Sequence, residues 1–220
     1  MTLQNRVDPW GCLHAVDARG SMLGNRGRLH NEARQVVRPW DRLAWVICEL
    51  EFNGRKRDVF GANTYSELFF LDEATAFAAG HRPCASCRRG RYDQFKSRWL
   101  VAHGALPSAT TPSIKDIDKL LHGERATRDG AKVTYEAQLS SLPLGAFVEL
   151  NGETFLVWHR GLTRWSFSGY SSRQLQPTPS TRVRVLTPES VVRAFAGGFR
   201  PTVHPSANGQ PPNKIEPVAN

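Results

Sequence analysis

The sequence predicts an α+β protein: two small β-sheets and hairpins with short helices, a zinc-knuckle module followed by a second hairpin-rich unit. Three observations carry this. Asn53-Gly54 and Asn151-Gly152 each stand between β-rich runs, and Asn-Gly is the preferred two-residue hairpin turn. The segments with helical spacing are short, each marked by a capping residue or a glycine stop. Finally, Cys84-Ala85-Ser86-Cys87 follows the turn Gly80-His81-Arg82-Pro83, and a CxxC pair supplies half of a four-ligand zinc site.

In chain order, "LAWVICELEFNGRKRDVF" (43–60) reads as the first hairpin, with Cys48 inside its first strand. "SELFFLD" is a short strand. Asp72 then caps the helix "EATAFAA", which Gly80 stops. After the CxxC, Tyr92, Phe95, Trp99 and Leu100 have the spacing of an amphipathic helix ending near Gly104. "ALPSATTPS" is a linker. Ser113 caps "IKDIDKLLHGER", with Asp116 in the capping-box position. "GAFVEL" and "ETFLVWHR" form the second hairpin around Asn151-Gly152, "TRWSFSGY" a third strand and "VRVL" a fourth. Thr187-Pro188-Glu189 starts a helix with a cap, a first-turn proline and an acid near the dipole.

The boundaries expected from this are residues 1–105 for the zinc module, 106–204 for the second unit and 205–220 for a polar, disordered tail. "AFAAGHRPCASC" from Ala76 and "AFAGGFRPTVHP" from Ala194 resemble each other. Either both are the same good helix stop, or the second unit is a degenerate repeat without cysteines.

A net charge of +9 over 220 residues favours an anionic partner, and nucleic acid, DNA first, is the expected one. The charge clusters: Arg82, Arg88, Arg89, Arg91, Lys96 and Arg98 surround the CxxC. With Trp99 as a stacking residue they form the expected nucleic-acid-binding set. "MTLQNRVDPWG" has no basic segment leading into an apolar run, so no signal peptide is expected. No apolar run reaches the roughly 18 residues of a membrane span. Four cysteines are too few for a disulfide framework in a chain this long, which points to the reducing cytoplasm.

Zinc takes four tetrahedral ligands, usually thiolate or imidazole. A redox CxxC would need a thioredoxin-like βαβ context, and none is visible. With Cys84 and Cys87 as two ligands, His30 in "GNRGRLHNEA" is the expected third. Cys48 lies in an apolar run and reads as core.

"YSELFFLDEATAFAAGHRPCASCRR" resembles the second half of the Ada-type zinc-binding domain, and "MLGNRGRLH" resembles the opening of short Ada-type domains attached to nucleases. The resemblance covers about residues 20–89. It implies zinc on Cys84, Cys87 and His30 and a role in DNA repair or modification. It departs from that family in one respect: "HNEARQVVRPW" holds no cysteine where the family's methyl-accepting nucleophile belongs, so methyl transfer is not expected.

Zinc-dependent nucleobase deaminases carry H-x-E and P-C-x-x-C. His30-Asn31-Glu32 and Pro83-Cys84-x-x-Cys87 match both. In that reading His30, Cys84 and Cys87 hold a catalytic zinc and Glu32 moves protons. Against it, a deaminase PCxxC begins a helix directly after a strand, whereas this one follows a helix end. The favoured expectation is a zinc-stabilised nucleic-acid-binding protein. The rivals are the zinc enzyme and a metal-free structural or interaction domain.

Overall fold

The computed structural model describes residues 2–54, 57–104, 111–159 and 161–210, without the side chains of 172 and 173. The architecture is α+β: two six-stranded sheets and four helices among the described residues.

The first sheet gathers strands β1 (Arg6–Val7), β2 (Leu13–His14), β3 (Met22–Asn25), β4 (Val46–Cys48), β5 (Leu68–Phe70) and β6 (Arg82–Pro83) in the order β2-β1-β5-β3-β4-β6. The apolar run of β5 pairs on both edges, parallel to β1 and antiparallel to β3. Gly24 of β3 leaves room for the Phe70 ring, which any Cβ there would strike.

The hairpin expected over 43–60 does not form. Asn53 and Gly54 do turn, with φ of +52° and +63°, but no strand returns among the described residues that follow. Arg57 instead folds back to donate to the carbonyls of Glu49 and Leu50, and Phe60 is buried elsewhere. β4 therefore finds other partners: β3 on one side, antiparallel, and β6 on the other, parallel.

The second sheet has the order β11-β10-β9-β8-β12-β7. Its strands are β7 (Tyr135–Gln138), β8 (Phe147–Leu150), β9 (Glu153–Trp158), β10 (Gly161–Ser166), β11 (Gly169–Leu175) and β12 (Arg182–Val185). Here the Asn151-Gly152 hairpin forms as read, with φ of +54° and +81° at the turn. "TRWSFSGY" is not one strand: it turns at Phe167-Ser168, so that Ser166 pairs with Gly169.

Helix α1 (Glu73–Ala78) is capped by Asp72, whose carboxylate accepts from the Thr75 N–H at 2.8 Å. Helix α2 (Arg89–Ala102) buries Tyr92, Phe95 and Trp99. Helix α3 (Ile114–Arg125) has both halves of its capping box, Ser113 and Asp116. Helix α4 (Glu189–Ala196) begins where expected, but the Thr187 hydroxyl accepts from the Phe147 N–H rather than capping the helix.

The two similar segments stop α1 and α4 identically. Gly80 and Gly198 take φ of +86° and +98°, and the N–H groups of Gly80 and His81 bond to Phe77 and Ala76 as those of Gly198 and Phe199 bond to Phe195 and Ala194. In each sheet, moreover, the strand before that helix pairs antiparallel with one strand of an antiparallel pair: β5 with β3 of β3–β4, and β12 with β8 of β8–β9.

The 105/106 boundary separates the sheets but not the core. Leu68, Phe77, Phe95 and Trp99 from the first part share one buried cluster with Ile117, Leu121, Phe195 and Phe199 from the second. A second cluster joins Leu71 and Ala74 to Phe147, Leu156 and Tyr170. Aromatic rings interlock at the seam: Phe77 meets Phe95, Phe195 and Phe199, each at 5.3 Å between centroids. The start of the expected tail is ordered. Pro205–Asn208 form a 3-10 turn with Ala207 buried in the second cluster; residues 211–220 lie outside the described part, as do 105–110 of the expected linker. No described helix is long and apolar enough to cross a membrane.

Candidate metal centre

The centre is built at one corner of the first sheet. β6 runs parallel to β4, with Val46 opposite Arg82 and Ile47 opposite Pro83. Continuing that register sets Cys84 beside Cys48, and the Cys84 N–H donates to the Ile47 carbonyl at 2.9 Å. Trp45 and Ile47 point into the core, so alternation turns Cys48 to the opposite, half-exposed face. The chain then turns tightly and brings Cys87 back to the same place.

The Sγ atoms of Cys48, Cys84 and Cys87 lie within 4.8 Å of one another, and these three residues form a group that could hold a metal ion. Four ligands at about 2.3 Å from a tetrahedral ion stand about 3.8 Å apart, so the spacing suits thiolate coordination with small adjustment. The turn supplies anion-stabilising donors too. The Ser86 N–H approaches the Cys84 sulfur at 3.4 Å. The Cys84 thiol is pushed down to about 5, first by its hydrogen bond with Cys48 and then, against burial, by the backbone N–H groups of Cys87 and Ser86. Cys48 is driven the other way, chiefly by that same hydrogen bond and by burial. Burial also raises Cys87. Three clustered thiols cannot all be anionic without a cation, which is the condition a metal ion relieves.

His30 is not part of this centre. Its Nδ1 meets the Ser66 hydroxyl at 2.6 Å and its Nε2 the Gly61 carbonyl at 3.2 Å. The ring, buried, stacks on Phe60 with centroids 4.5 Å apart. Both nitrogens are engaged in holding the 60–66 loop, so His30 stands apart from the cysteine group, in which Cys48 is the third member. The set His30–Cys84–Cys87 required for the deaminase reading is accordingly not assembled, and Glu32 is an exposed side chain. The signal that could have found Cys48 was its position: one residue after Ile47, on the other face of a strand.

The expected nucleic-acid-binding set is divided. Arg82 is buried in a bidentate pair with Asp118, 2.7 Å at each contact. Arg88 is buried against Glu73 at 3.0 Å and lies 3.4 Å from Glu49. Arg91 also binds Glu73 and donates to the Arg200 carbonyl at 2.8 Å. Trp99 is a core residue stacked on His103. Arg89, Lys96 and Arg98 remain on the outer part of α2; Arg89 pairs with Asp93 one turn on, and Arg98 is exposed beside the Gly197 carbonyl.

Glu73, which sequence reasoning did not single out, organises this corner. It is fully buried and takes Arg88, Arg91 and, at 2.8 Å, the Thr202 N–H. It links the residues just after the CxxC to the segment after α4. No family model, no curated protein and no solved structure matches this chain.

Proposed function

We propose that Cys48, Cys84 and Cys87 hold one zinc ion, and that the chain is a zinc-stabilised protein that binds nucleic acid, DNA first. The observation that carries the reading is the convergence of three thiols from two strands and a tight turn, with backbone N–H groups directed at one of them. Sulfur ligands in a tetrahedral spacing favour zinc over the oxygen-seeking cations. The ion would tie β4 to the turn and fix the start of α2, a stabilising role. The Ada-type resemblance supports the same reading through the Gly-x-Arg-Pro-Cys turn, with Cys48 standing where the resemblance had suggested His30.

The net charge of +9 supports an anionic polymer as partner. Arg89, Lys96 and Arg98, on a helix whose first turn follows the metal centre, are its phosphate contacts. The test is binding of a duplex of arbitrary sequence across a salt series. Affinity falls steeply with salt, and Arg89→Glu with Arg98→Glu reduces both affinity and slope. No binding at low salt, or binding that ignores salt, contradicts the proposal.

A further inference from the structure

A cavity of about 490 Å³ opens on the far side of β4 from the cysteines, where the N-terminal turn, the 36–40 loop, the end of α3 and the 130–132 turn meet. Its charged lining is cationic. Arg26 and Arg125 are buried, and Lys132 beside them is half-buried. No carboxylate lies within ion-pair distance of any of the three among the described residues: Asp118, whose charge Arg125 feels, is occupied by Arg82, and Asp8, whose charge Arg26 and Lys132 feel, holds His14 at 2.8 Å. Buried charge without a counter-ion is costly, and proteins rarely retain it without use.

The three basic side chains are held by neutral groups instead. Arg26 donates to Nε2 of His81 at 3.2 Å and to the Gly11 carbonyl at 3.1 Å. Because that nitrogen of His81 accepts, the proton sits on Nδ1, which is buried with no partner. Arg125 donates to the Gly80 and Leu43 carbonyls, and its Nε has no partner. The Lys132 ammonium donates to the Ala78 carbonyl, which uses one of its three N–H groups. Both guanidiniums lie on the Trp45 indole, at 4.2 and 4.0 Å from its centroid. Trp10 and Trp40 add two more indoles to the wall.

We infer that this cavity is a binding site for a nucleotide carrying a terminal phosphate, the phosphate meeting Arg26, Arg125 and Lys132 and the base lying among the indoles. A phosphate monoester brings a charge of about −1.5 to −2 near neutral pH, matching a cluster of cations better than a single carboxylate does. Indole faces accept any base by stacking. The volume is that of a small-ligand pocket. This site stands apart from the metal centre and does not depend on the function proposed for it.

The phosphate could belong to a free mononucleotide or to the end of a strand. The test is titration of the full chain with adenosine 5′-monophosphate, adenosine, and one oligonucleotide with either a 5′-phosphate or a 5′-hydroxyl, read by tryptophan fluorescence and calorimetry. The monophosphate or the phosphorylated strand quenches fluorescence and binds; whichever is tighter identifies the source. Adenosine and the hydroxyl-ended strand bind at least about tenfold more weakly, the scale of one charge-assisted hydrogen bond. Lys132→Met lowers affinity by a similar factor with metal content unchanged. Val37→Trp, at the exposed rim of the cavity, lowers it without touching the buried cluster. The proposal is overturned if neither phosphorylated probe binds at millimolar concentration, if adenosine binds as tightly as its monophosphate, or if both variants bind like the wild type. Salt-dependent duplex binding without any effect of the terminal phosphate overturns the cavity proposal alone.

Discussion

At Lys132 burial and charge are at odds. Burial first, and then Arg26 and Arg125, lower its ammonium to about 7 from an ordinary 10.5, with Asp8 and Cys12 opposing. His81, which also meets this cluster, stays neutral, its value lowered by burial and by the same cations; Cys12 is raised by burial first, and His122, beside Arg125, is lowered by burial first. Between pH 7 and 10.5 the unfolded chain holds a proton on Lys132 that the folded chain has released, so stability rises with pH across that window. Below pH 7 both states hold it and this contribution to the slope vanishes. Arg26 and Arg125, lowered to about 9, add the same trend only at higher pH. Urea midpoints of the wild type are therefore expected to rise from pH 7 to 9 relative to those of Lys132→Met. Equal pH slopes in the two proteins would contradict this assignment. Single residues were legible in the sequence only where their chemistry is local. Cys84 and Cys87 announce themselves by spacing. Cys48 becomes a partner only through the β4–β6 register, and Arg82 and Arg88 read as surface charge because their carboxylates, Asp118 and Glu73, lie 36 and 15 residues away.

At the scale of elements, the corner holding the cysteines depends on α1 as much as on the turn itself. Asp72 caps the helix and also accepts from the Tyr170 hydroxyl at 2.7 Å and the His204 N–H at 2.8 Å. Glu73, next to it, satisfies the arginines after the CxxC. Glu73→Ala leaves buried Arg88 without its main partner and is expected to cost about 3–5 kcal/mol, measured by urea unfolding. A cost below about 1 kcal/mol would show that Glu49 alone suffices for Arg88. Elements closed by local signals were readable: α1, α3 and the β8–β9 hairpin stand where their caps and turn residues put them. The 43–60 hairpin failed as an expectation because the turn chemistry at Asn53-Gly54 was right while pairing was decided elsewhere. β4 gains two partners, β3 and β6, that propensity does not reveal.

Over the whole molecule, the aromatic seam of Phe77, Phe95, Phe195 and Phe199 joins the helices of the two parts, so the two sheets are expected to unfold together. Phe77 lies at its centre, with no exposed surface. Phe77→Ala is expected to cost about 3–5 kcal/mol and to lower a single cooperative transition. Two separated transitions, or loss of structure in the first sheet alone, would contradict a shared core. The α+β class and the two-sheet layout were legible from turn spacing and the alternation of short strands with short helices. The shared core was not, since contacts such as Phe77 with Phe195 span more than a hundred residues and leave no local pattern.

The central claim is that three cysteines, and not His30, hold one metal ion. It is tested most directly by the zinc content per chain of the wild type, Cys48→Ser and His30→Ala, purified in parallel. The account predicts one zinc in the wild type and in His30→Ala, and a marked loss together with lowered thermal stability in Cys48→Ser. Full zinc in Cys48→Ser with loss in His30→Ala would contradict it.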